Sequence, residues 1–430
     1  MTDSKPVGVA LLGYGTVGEA VYRLLAENRH HFVQRIGGDI EVRGVAVNDA
    51  SKPRDGVPAE LLTDDAVGLV ERDDVDIVVE VIGGIDYPRE IVLKALQAGK
   101  SVVTANKALV AAHSAELAAA ADEAGVDLYY EAAVAAAIPV LGPLRRSLAG
   151  DQVKSVMGIV NGTTNFILDA MESTGASYDE MLAEAMRLGY AEADPTFDVG
   201  GFDAAHKLLI LASIAYGVHG NPEDILIEGI EGITPEDIFF ANDFEYVIKL
   251  LAIAKKTGEK VELRVHPALV PKDKMIAKTD GVTNAVSVVG DAVGETMFYG
   301  PGAGGPATAS SVISDLIDIA RDGKSPMLGY KAPFELNALE LLDPSEIRTK
   351  YYFRLRVEDK VGVLAKITNL MSENNLSIDS LLQKPKDESP YATLFFTTHT
   401  SVEKDVRRTM EILQEQEFVK EKPFMMRIEE

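Results

Sequence analysis

A glycine-rich turn between an apolar segment and a helical pattern constrains this chain more than any other feature. The apolar run Val7–Leu12 leads into GYGTVG (13–18), and a helical pattern follows over Val17–Glu27. Glycines at this spacing allow a tight turn and let the pyrophosphate of a dinucleotide approach a helix N-terminus. The order of strand, turn and helix therefore predicts a dinucleotide-binding domain whose turn depends on Gly13, Gly15 and Gly18.

The first 138 residues alternate short apolar runs with amphipathic stretches, a pattern typical of repeated strand–helix–strand units. Helices are predicted over Pro88–Ala98 and Ala111–Ala124, and a glycine follows each of them. This region is expected to form an α/β Rossmann-type domain with a parallel sheet. The predicted strands are Val7–Leu12, Val42–Val47, Ile77–Ile82, Val102–Ala105 and Leu128–Ala132.

Residues 139–299 have a different pattern, in which strands such as Val153–Ile159 mix with helices such as Tyr178–Leu188. This mixture predicts an α+β catalytic and dimerisation domain. The segment 300–330 contains a glycine- and proline-rich loop and then a helical pattern, and we expect it to complete the first domain.

The C-terminal part of the chain is predicted to begin with a linker at 331–349, which is rich in loop-forming residues. Residues 350–430 then have the order βαββαβ, which indicates a separate small module. The chain as a whole is therefore expected to contain three domains.

Composition excludes several classes of function. The net charge of −25 argues against a surface that binds nucleic acid. No apolar run is long enough to predict a membrane span. No cysteine is present, which excludes thiolate catalysis, disulfides and cysteine-bound metal centres. The seven histidines show no metal-ligand spacing. We expect a cytoplasmic enzyme.

The segment LGYAEADPTFDVGGFDAAHK (188–207) carries the side chains best suited to chemistry. Four carboxylates precede Lys207, among them Glu192, Asp198 and Asp203. An apolar helix follows, and we expect it to be buried, with Lys207 one turn after Asp203 on the same face. A lysine held by carboxylates and partly removed from water can transfer a proton, because burial shifts its pKa strongly. The remaining carboxylates suit an amino-acid ammonium group.

Structural explanations stay open for both candidate lysines. Asp203 could cap its helix and pair with Lys207, as such residues commonly do on helix surfaces. Lys107 ends the motif TANK (104–107) at the carboxyl end of a predicted strand, where ligands bind in parallel sheets. A solvated lysine at the start of the next helix fits that position equally well.

The residues after the second predicted strand do not decide between NAD and NADP. An acidic residue there binds the ribose diol of NAD, whereas a nearby arginine or lysine favours the additional phosphate of NADP. Asp49 indicates the first cofactor, and Lys52 and Arg54 indicate the second.

Taken together, these segments resemble the homoserine dehydrogenase family. The matching motifs are GYGTVG, TANK, EAAVAAAIPV, NGTTNFIL, LGYAEADPTFDVGGFDAAHK and YGPGAGGPATASSVISDL, in the family's order over most of residues 7–345. The resemblance implies NAD(P)-dependent interconversion of L-homoserine and L-aspartate 4-semialdehyde. That reaction belongs to the biosynthesis of threonine, methionine and isoleucine.

The resemblance also implies roles for individual residues. Lys207 would be the proton donor and acceptor, and Lys107 the second lysine, near the nicotinamide and the substrate. Glu192 and Asp203 would hold homoserine, with Asp198 close by. Beyond the glycines of the turn, the implied cofactor contacts are Thr16, Val17, Thr104, Lys107 and Gly302, with Gly189 at the junction of two domains.

Members of this family carry a monovalent cation, Na⁺ or K⁺, on main-chain oxygens. Relatives frequently have glycine where this chain reads AAA (135–137), so the site is expected here only if the loop needs no positive φ. The implied ligands are Glu131, Val134, Ala136 and Ile138.

The C-terminal module resembles an ACT domain, chiefly through DKVGVL (359–364) and the βαββαβ order. Such domains bind amino acids at pairwise interfaces, which implies a homodimer or homotetramer and makes threonine the expected inhibitor. Gly362 would provide backbone freedom between strand and helix. A dimerisation module without a ligand is the alternative.

Two other functions stay open. The chain could be a dehydrogenase for another amino or hydroxy acid that uses the same N-terminal domain. It could also be a non-catalytic amino-acid sensor, made of an inactive dehydrogenase and an ACT domain. The joint presence of Lys107, Glu192, Asp203 and Lys207 argues against the sensor.

Overall fold

The computed structural model describes residues 5–321, 324–330, 339–385 and 389–430. The strands are β1 (Val7–Leu12), β2 (Ile40–Ala46), β3 (Leu62–Thr63), β4 (Ile77–Glu80), β5 (Ser101–Thr104), β6 (Leu128–Tyr129), β7 (Val153–Ile159), β8 (Leu226–Ile227), β9 (Tyr246–Thr257), β10 (Lys260–Pro271), β11 (Thr283–Gly290), β12 (Gly294–Pro301), β13 (Glu340–Leu341), β14 (Arg348–Glu358), β15 (Ile378–Pro385), β16 (Tyr391–Thr398), β17 (Ser401–Val402) and β18 (Phe424–Ile428). The helices are α1 (Thr16–Glu27), α2 (Arg29–Ile36), α3 (Ala66–Val70), α4 (Asp86–Gln97), α5 (Lys107–Ala124), α6 (Gly162–Thr174), α7 (Tyr178–Leu188), α8 (Thr196–Val199), α9 (Phe202–Tyr216), α10 (Pro235–Asp243), α11 (Gly305–Ala320), α12 (Val363–Glu373) and α13 (Glu403–Gln414).

The chain forms two compact units, and each is assembled from segments that are not adjacent in sequence. The first unit contains Met1–Val156, His206–Asn221 and Thr283–Leu339. The second unit contains Met157–Ala205, Pro222–Val282 and Glu340–Glu430. The three domain ranges drawn from the sequence stay a prediction.

The first unit contains a six-stranded sheet in the order β3-β2-β1-β4-β5-β6, and every pairing in it is parallel. The order reverses between β1 and β4, and ligands bind beyond the carboxyl ends of the strands at such a point. The predicted parallel Rossmann-type sheet is therefore confirmed. One predicted strand is too long, because Glu131–Ala133 form a 3₁₀ turn after β6.

Helix α11 belongs to the core of the first unit although it lies far from β1 in the sequence. Its residues Val312 and Leu316 are fully buried in the same apolar cluster as Val9 and Leu11 of β1. The start of α11 also comes close to the glycine turn, since a side chain at Gly305 would lie 2.8 Å from the carbonyl oxygen of Thr16.

The second unit contains a sheet in which β9, β10, β18, β14, β16 and β15 are successive neighbours. β18 pairs in parallel with β10 and antiparallel with β14. The predicted βαββαβ module is present as β14, α12, β15, β16, α13 and β18, with the short β17 before α13. Its last strand thus joins the strands of this module to β9 and β10 in one sheet.

The predicted linker at 331–349 lies partly outside the described residues, which resume at Leu339. The part that is described is not all loop. β13 pairs with β10, and β14 already begins at Arg348. Among the residues that the structure describes, no helix is both long and apolar enough to cross a membrane.

A buried ionic network connects the module's last strand to the rest of the second unit. Arg427 of β18 is fully buried and donates to Glu403 of α13 (Nε–Oε2, 3.0 Å) and to Glu228 after β8 (Nη1–Oε2, 2.7 Å). Tyr351 of β14 also donates its hydroxyl to Glu403 (2.7 Å). Burial opposes the ionisation of Glu228, but the guanidinium groups of Arg427 and Arg407 lower its pKa below the usual value.

A second buried arginine, Arg264 of β10, extends the charged layer. It pairs with Glu262 (Nη2–Oε1, 3.2 Å) and with Glu429 just beyond β18 (Nη2–Oε2, 3.1 Å). Burial, with the positive charges of Arg427 and Arg264, lowers the pKa of His266 well below its usual value. His266 is therefore neutral, so it can donate from Nδ1 to the Pro267 carbonyl and accept at Nε2 from Arg264.

We expect Glu403→Ala to lower the free energy of unfolding by about 3–5 kcal/mol, because it removes a partner from a guanidinium that has no access to water. Urea denaturation followed by circular dichroism measures the change. Arg407→Ala is the matched control: the Arg407 side chain is 46% exposed, so its removal should cost less than about 1 kcal/mol. Equal losses in the two variants would contradict the assignment of Glu403 as a buried partner.

Candidate active site

The three glycines of the turn serve three different purposes. Gly13 has φ +101°, and a Cβ there would lie 2.7 Å from the carbonyl oxygen of Val81. A Cβ at Gly18 would lie 2.1 Å from the carbonyl oxygen of Gly13. A Cβ at Gly15, the N-cap of α1, would meet nothing within 4 Å. Gly13 and Gly18 are thus required by the chain itself, whereas Gly15 leaves space at a helix N-terminus for a pyrophosphate.

A cleft of about 440 Å³ lies beside this turn, at the carboxyl ends of β1, β2 and β4. Some of its lining was expected from the sequence, namely Gly13, Gly15 and Arg54. The sequence analysis did not single out Asn48, Asp64, Ile82 or Tyr87, which also line the cleft. Their position shortly after a parallel strand could have indicated Asn48, Asp64 and Ile82, whereas Tyr87 lies in α4.

The basic and acidic residues after β2 have different environments. Asp49 pairs with Lys52 (3.1 Å) and accepts hydrogen bonds from Ser51, and those from Ser51 lower its pKa most. Arg54 lines the cleft, and its Nε atom is buried without a hydrogen-bond partner among the described residues. The carboxylate of Asp49 is therefore engaged locally, while a guanidinium faces the cleft.

The first turn of α1 and the loop before α11 lie close together. Thr16 and Val17 begin α1, and Thr16 approaches Gly305 at the start of α11. Gly302 packs tightly, because a Cβ there would lie 2.1 Å from Nδ2 of Asn284. A glycine at position 302 thus allows this loop to pack against Asn284.

The predicted residues at the end of β5 lie at the expected edge of the sheet. The buried hydroxyl of Thr104 donates to Glu80 (2.6 Å) and accepts from the backbone N–H of Asn106 (3.0 Å). Asn106 caps α5 by accepting from the N–H of Leu109 (3.1 Å). Lys107 is the first residue of α5 and is partly exposed. Since the hydroxyl of Thr104 is engaged, a cofactor contact there would come from its main chain.

In the second unit, one amide joins two of the predicted substrate carboxylates. The side-chain Nδ2 of Asn161 donates to Oδ1 of Asp198 (2.7 Å) and to Oδ2 of Asp203 (2.9 Å). Asn161 and Asp203 are buried, whereas Asp198 is half-buried. Glu192 lies exposed in the loop between α7 and α8. The structure thus brings Asp198 and Asp203 together, and Asn161 is a residue that the sequence analysis missed.

Helix α9 carries the predicted catalytic lysine. The helix begins at Phe202, so Asp203 is its second residue. Lys207 follows one helical turn later and is only 8% exposed. The apolar residues that follow, such as Leu208 and Leu211, are fully buried, which confirms the predicted buried helix. Gly189, with φ +77°, ends α7.

The loop that the family resemblance linked to a cation has a strained backbone. Ala135 and Ala136 have φ of 52° and 41°, a region that alanine enters only with strain. The condition set by the sequence, a loop without positive φ, is therefore not met. The carbonyl oxygen of Ala136 accepts a hydrogen bond from Ser311 (2.7 Å). Carbonyl oxygens have two lone pairs, so this one keeps a position for a hard cation.

Glu131 anchors this loop through its side chain. Its carboxylate accepts backbone N–H groups from Val140, Leu141 and Gly142 at 2.6–2.8 Å. Its own N–H donates to Asp315 (2.8 Å). Burial, followed by the charge of Glu131, raises the pKa of Asp315 to about 8. The described residues contain no group of three or more His, Cys, Asp or Glu side chains that could hold a metal ion.

Gly362 has the conformation expected for it. Its φ is +90°, it precedes α12 directly, and a Cβ there would meet nothing within 4 Å. The neighbouring Val361 is fully exposed. The turn between β14 and α12 therefore needs glycine and leaves its surroundings open.

A parallel sheet with an open glycine turn at its reversal point, in a chain that also carries a carboxylate pair and a buried lysine, defines a dinucleotide-dependent oxidoreductase. Family models agree with this class: one described as homoserine dehydrogenase matches residues 139–317, its NAD-binding domain matches 13–131, and an ACT domain matches 351–418. The homoserine dehydrogenase of Corynebacterium glutamicum is 55% identical over 98% of this chain and 96% of its own length. The chain therefore belongs to the homoserine dehydrogenase family, whose members are oxidoreductases acting on a CH–OH group.

Solved structures give the same result. A homoserine dehydrogenase from Thiobacillus denitrificans superposes with a TM-score of 0.93 at 42% identity, over 99% of both chains. A hyperthermophilic archaeal homoserine dehydrogenase in complex with NADPH has a TM-score of 0.62 at 30% identity, over 74% of this chain and 98% of its own. The use of NAD(P), an N-terminal Rossmann-like domain and a C-terminal ACT domain are thus established for this chain.

We expect Gly15→Val to abolish dinucleotide binding without loss of stability, because the new side chain fills open space where the pyrophosphate would lie. Fluorescence titration with NADPH and a thermal melt measure the two properties separately. Gly18→Ala is the comparison: its methyl group would collide with the Gly13 carbonyl, so this variant should lose stability as well. Normal NADPH affinity in a folded Gly15→Val protein would contradict the proposed pyrophosphate position.

Proposed function

We propose that Lys207 exchanges the hydroxyl proton of homoserine during the homoserine dehydrogenase reaction. The observation that carries this proposal is the carboxylate pair of half-buried Asp198 and buried Asp203, which Asn161 joins, together with the buried Lys207 one helical turn after Asp203 on α9. A proton acceptor is needed when the alcohol is oxidised, and a donor when the aldehyde is reduced. Lys207 serves in its amine form for oxidation and in its ammonium form for reduction.

Binding and orientation of the substrate are assigned to the acidic residues. Asp203 and Glu192 hold the ammonium group of the amino acid, and Asp198 reinforces the negative charge beside them. Lys107, at the carboxyl end of β5, approaches the nicotinamide end of the cofactor and the substrate carboxylate. Bound NAD(P) supplies the hydride acceptor for oxidation and the hydride donor for reduction. L-Homoserine and L-aspartate 4-semialdehyde are thus interconverted in the biosynthesis of threonine, methionine and isoleucine.

NADP is proposed as the preferred cofactor. Arg54 lines the cleft and its Nε atom has no hydrogen-bond partner among the described residues, while Asp49 is engaged with Lys52 and Ser51. Guanidinium groups suit phosphate because of their fixed charge and paired donors. The archaeal relative solved with NADPH supports the same choice.

A monovalent cation and threonine are proposed as further ligands. The cation, Na⁺ or K⁺, would bind the main-chain oxygens of Glu131, Val134, Ala136 and Ile138. Although the loop does need positive φ, Ala135 and Ala136 already have it, so alanine reaches this conformation at the cost of strain that a bound cation would offset. Threonine would bind at ACT domains paired across a homodimer or homotetramer, near Gly362. The exposed apolar side chains Val361, Leu364 and Leu381 support such pairing. We also assign the enzyme to the cytoplasm.

The two alternative functions are less well supported. A sensor without catalysis would not need a lysine and two carboxylates within ten residues of a buried helix start. A dehydrogenase for a different amino or hydroxy acid would not share 55% of its residues with a homoserine dehydrogenase over 98% of this chain. An assay with homoserine and other hydroxy amino acids, with and without threonine, separates these cases.

We expect Lys207→Ala to reduce kcat by about 10²–10⁴-fold, the contribution typical of a general acid–base group. Dinucleotide affinity should not change, since the cofactor cleft is built from other elements. Homoserine-dependent formation of NADPH, followed by absorbance, measures kcat. Lys404→Ala, an exposed lysine of α13, is the control and should leave kcat unaltered. Near-normal turnover of Lys207→Ala would refute its role.

Arg54→Ala is expected to raise KM for NADPH by about 10- to 100-fold, the usual worth of hydrogen bonds to a charged group. KM for NADH should change by less than twofold, because NADH lacks the additional phosphate. Lys52→Ala is the control and should affect neither cofactor, since Lys52 pairs with Asp49. An equal rise in KM for NADPH and in KM for NADH would show that Arg54 does not contact the additional phosphate of NADPH.

A further inference from the structure

Asn161 is the residue directly before α6, and the protein engages both ends of its side-chain amide. Its Oδ1 accepts from the backbone N–H of Thr164 (2.9 Å). The single hydrogen of the Thr164 hydroxyl lies within reach of both Oδ1 (3.0 Å) and the main-chain oxygen of Asn161 (3.1 Å). Its Nδ2 donates one hydrogen to Asp198 and one to Asp203, so no donor hydrogen of the amide is left for a ligand. Any role of Asn161 in the reaction must therefore be indirect.

The orientation of this amide is determined by its surroundings. Because Oδ1 receives a backbone N–H, which can only donate, the other end must be the NH₂ group. The carboxylates of Asp198 and Asp203 consequently face the NH₂ group of Asn161, and the amide cannot flip without losing its bond to the backbone. Asn161 is 5% exposed and Asp203 is 3% exposed, so water competes little for these bonds.

We propose that Asn161 is a positioning residue that holds Asp198 and Asp203 as an adjacent, ionised pair for the substrate ammonium group. Two carboxylates so close together repel each other, and a donor shared by both offsets this repulsion. One NH₂ group supplies such a donor, with a hydrogen for each carboxylate. It also brings α8 and α9 to the N-terminus of α6, which fixes the distance between the two acids.

This role rests on the proposed function, in which Asp203 and Glu192 hold the ammonium group of homoserine and Asp198 reinforces the negative charge beside them. It goes further, because it names what gives Asp198 and Asp203 their geometry. The titratable side chains that the structure describes in hydrogen bonds with Asn161 are Asp198 of α8 and Asp203 of α9, and Lys207 follows on α9.

Two substitutions separate positioning from helix capping, because serine and aspartate are both good N-caps. Asn161→Ser keeps a cap and removes the donor to the carboxylates. We expect KM for homoserine to rise by about 10- to 100-fold, the usual effect of losing hydrogen bonds to charged groups, while KM for NADPH stays within twofold. Steady-state kinetics of the full-length enzyme measure both constants.

Asn161→Asp adds a pH signature that a structural role would not produce. A neutral carboxyl at this position can still donate one hydrogen bond, whereas its ionised form only adds repulsion. The ratio of kcat/KM in Asn161→Asp to that of wild type should therefore fall as pH rises from about 6 to 9. The corresponding ratio for Asn161→Ser should stay flat over the same range. Ser177→Ala, which removes the cap of α7, is the control, and its ratio of kcat/KM to that of wild type should also stay flat over this pH range.

The outcomes are distinct. A homoserine KM of Asn161→Ser within twofold of wild type, or an equal rise in both KM values, would overturn the positioning role. A flat ratio for folded Asn161→Asp would overturn it as well. If Asn161→Asp does not fold, the KM values of Asn161→Ser decide alone. A wild-type enzyme that does not oxidise homoserine would instead refute the proposed function.

Discussion

The architecture of the second unit depends on guanidinium groups that are buried together with their carboxylates. Arg427 and Arg264 have no access to water, so each must find its partners at the moment the chain packs. The partners come from distant segments, with Glu228 after β8 and Glu403 on α13. Because an incorrect register of β18 would leave these charges unpaired, the ionic layer specifies one arrangement of the sheet. Apolar contacts alone would be less selective, since they have no direction.

Much of the fold was accessible from the sequence, for reasons that are local. β1, β7 and α7 have the bounds that were predicted, because apolar periodicity and glycine at the helix ends act within a few residues. The carboxyl ends of parallel strands likewise predicted the position of Lys107. The length of the last predicted strand of the first sheet was mistaken, because β6 gives way to a turn at Glu131. Within the predicted linker, β13 was not expected, because it depends on pairing with the distant β10.

The candidate site was predictable as a set of residue types but not as an arrangement. Asp198, Asp203 and Lys207 lie within one segment, and the family resemblance named them. Asn161, by contrast, is 37 residues from Asp198 and 42 from Asp203, and no periodicity links them. The only local signal was an asparagine directly before a helical pattern, which predicts a cap. The hydrogen bonds that its NH₂ group donates to Asp198 and Asp203 could not be predicted, because they exist only when the fold brings α6, α8 and α9 together.

The placement of β18 between β10 and β14 has a kinetic consequence. Glu429 and Arg264 are separated by 165 residues, and Arg427 and Glu228 by 199. Contacts at such separation require large loops to close before any stabilisation is gained, which slows folding. The ACT strands and the strands β9 and β10 should therefore condense late and as one cooperative body, not as a regulator appended to a finished enzyme. Until that step, the longest strands of the sheet expose unpaired edges, so this is the stage at which a chaperone would matter most.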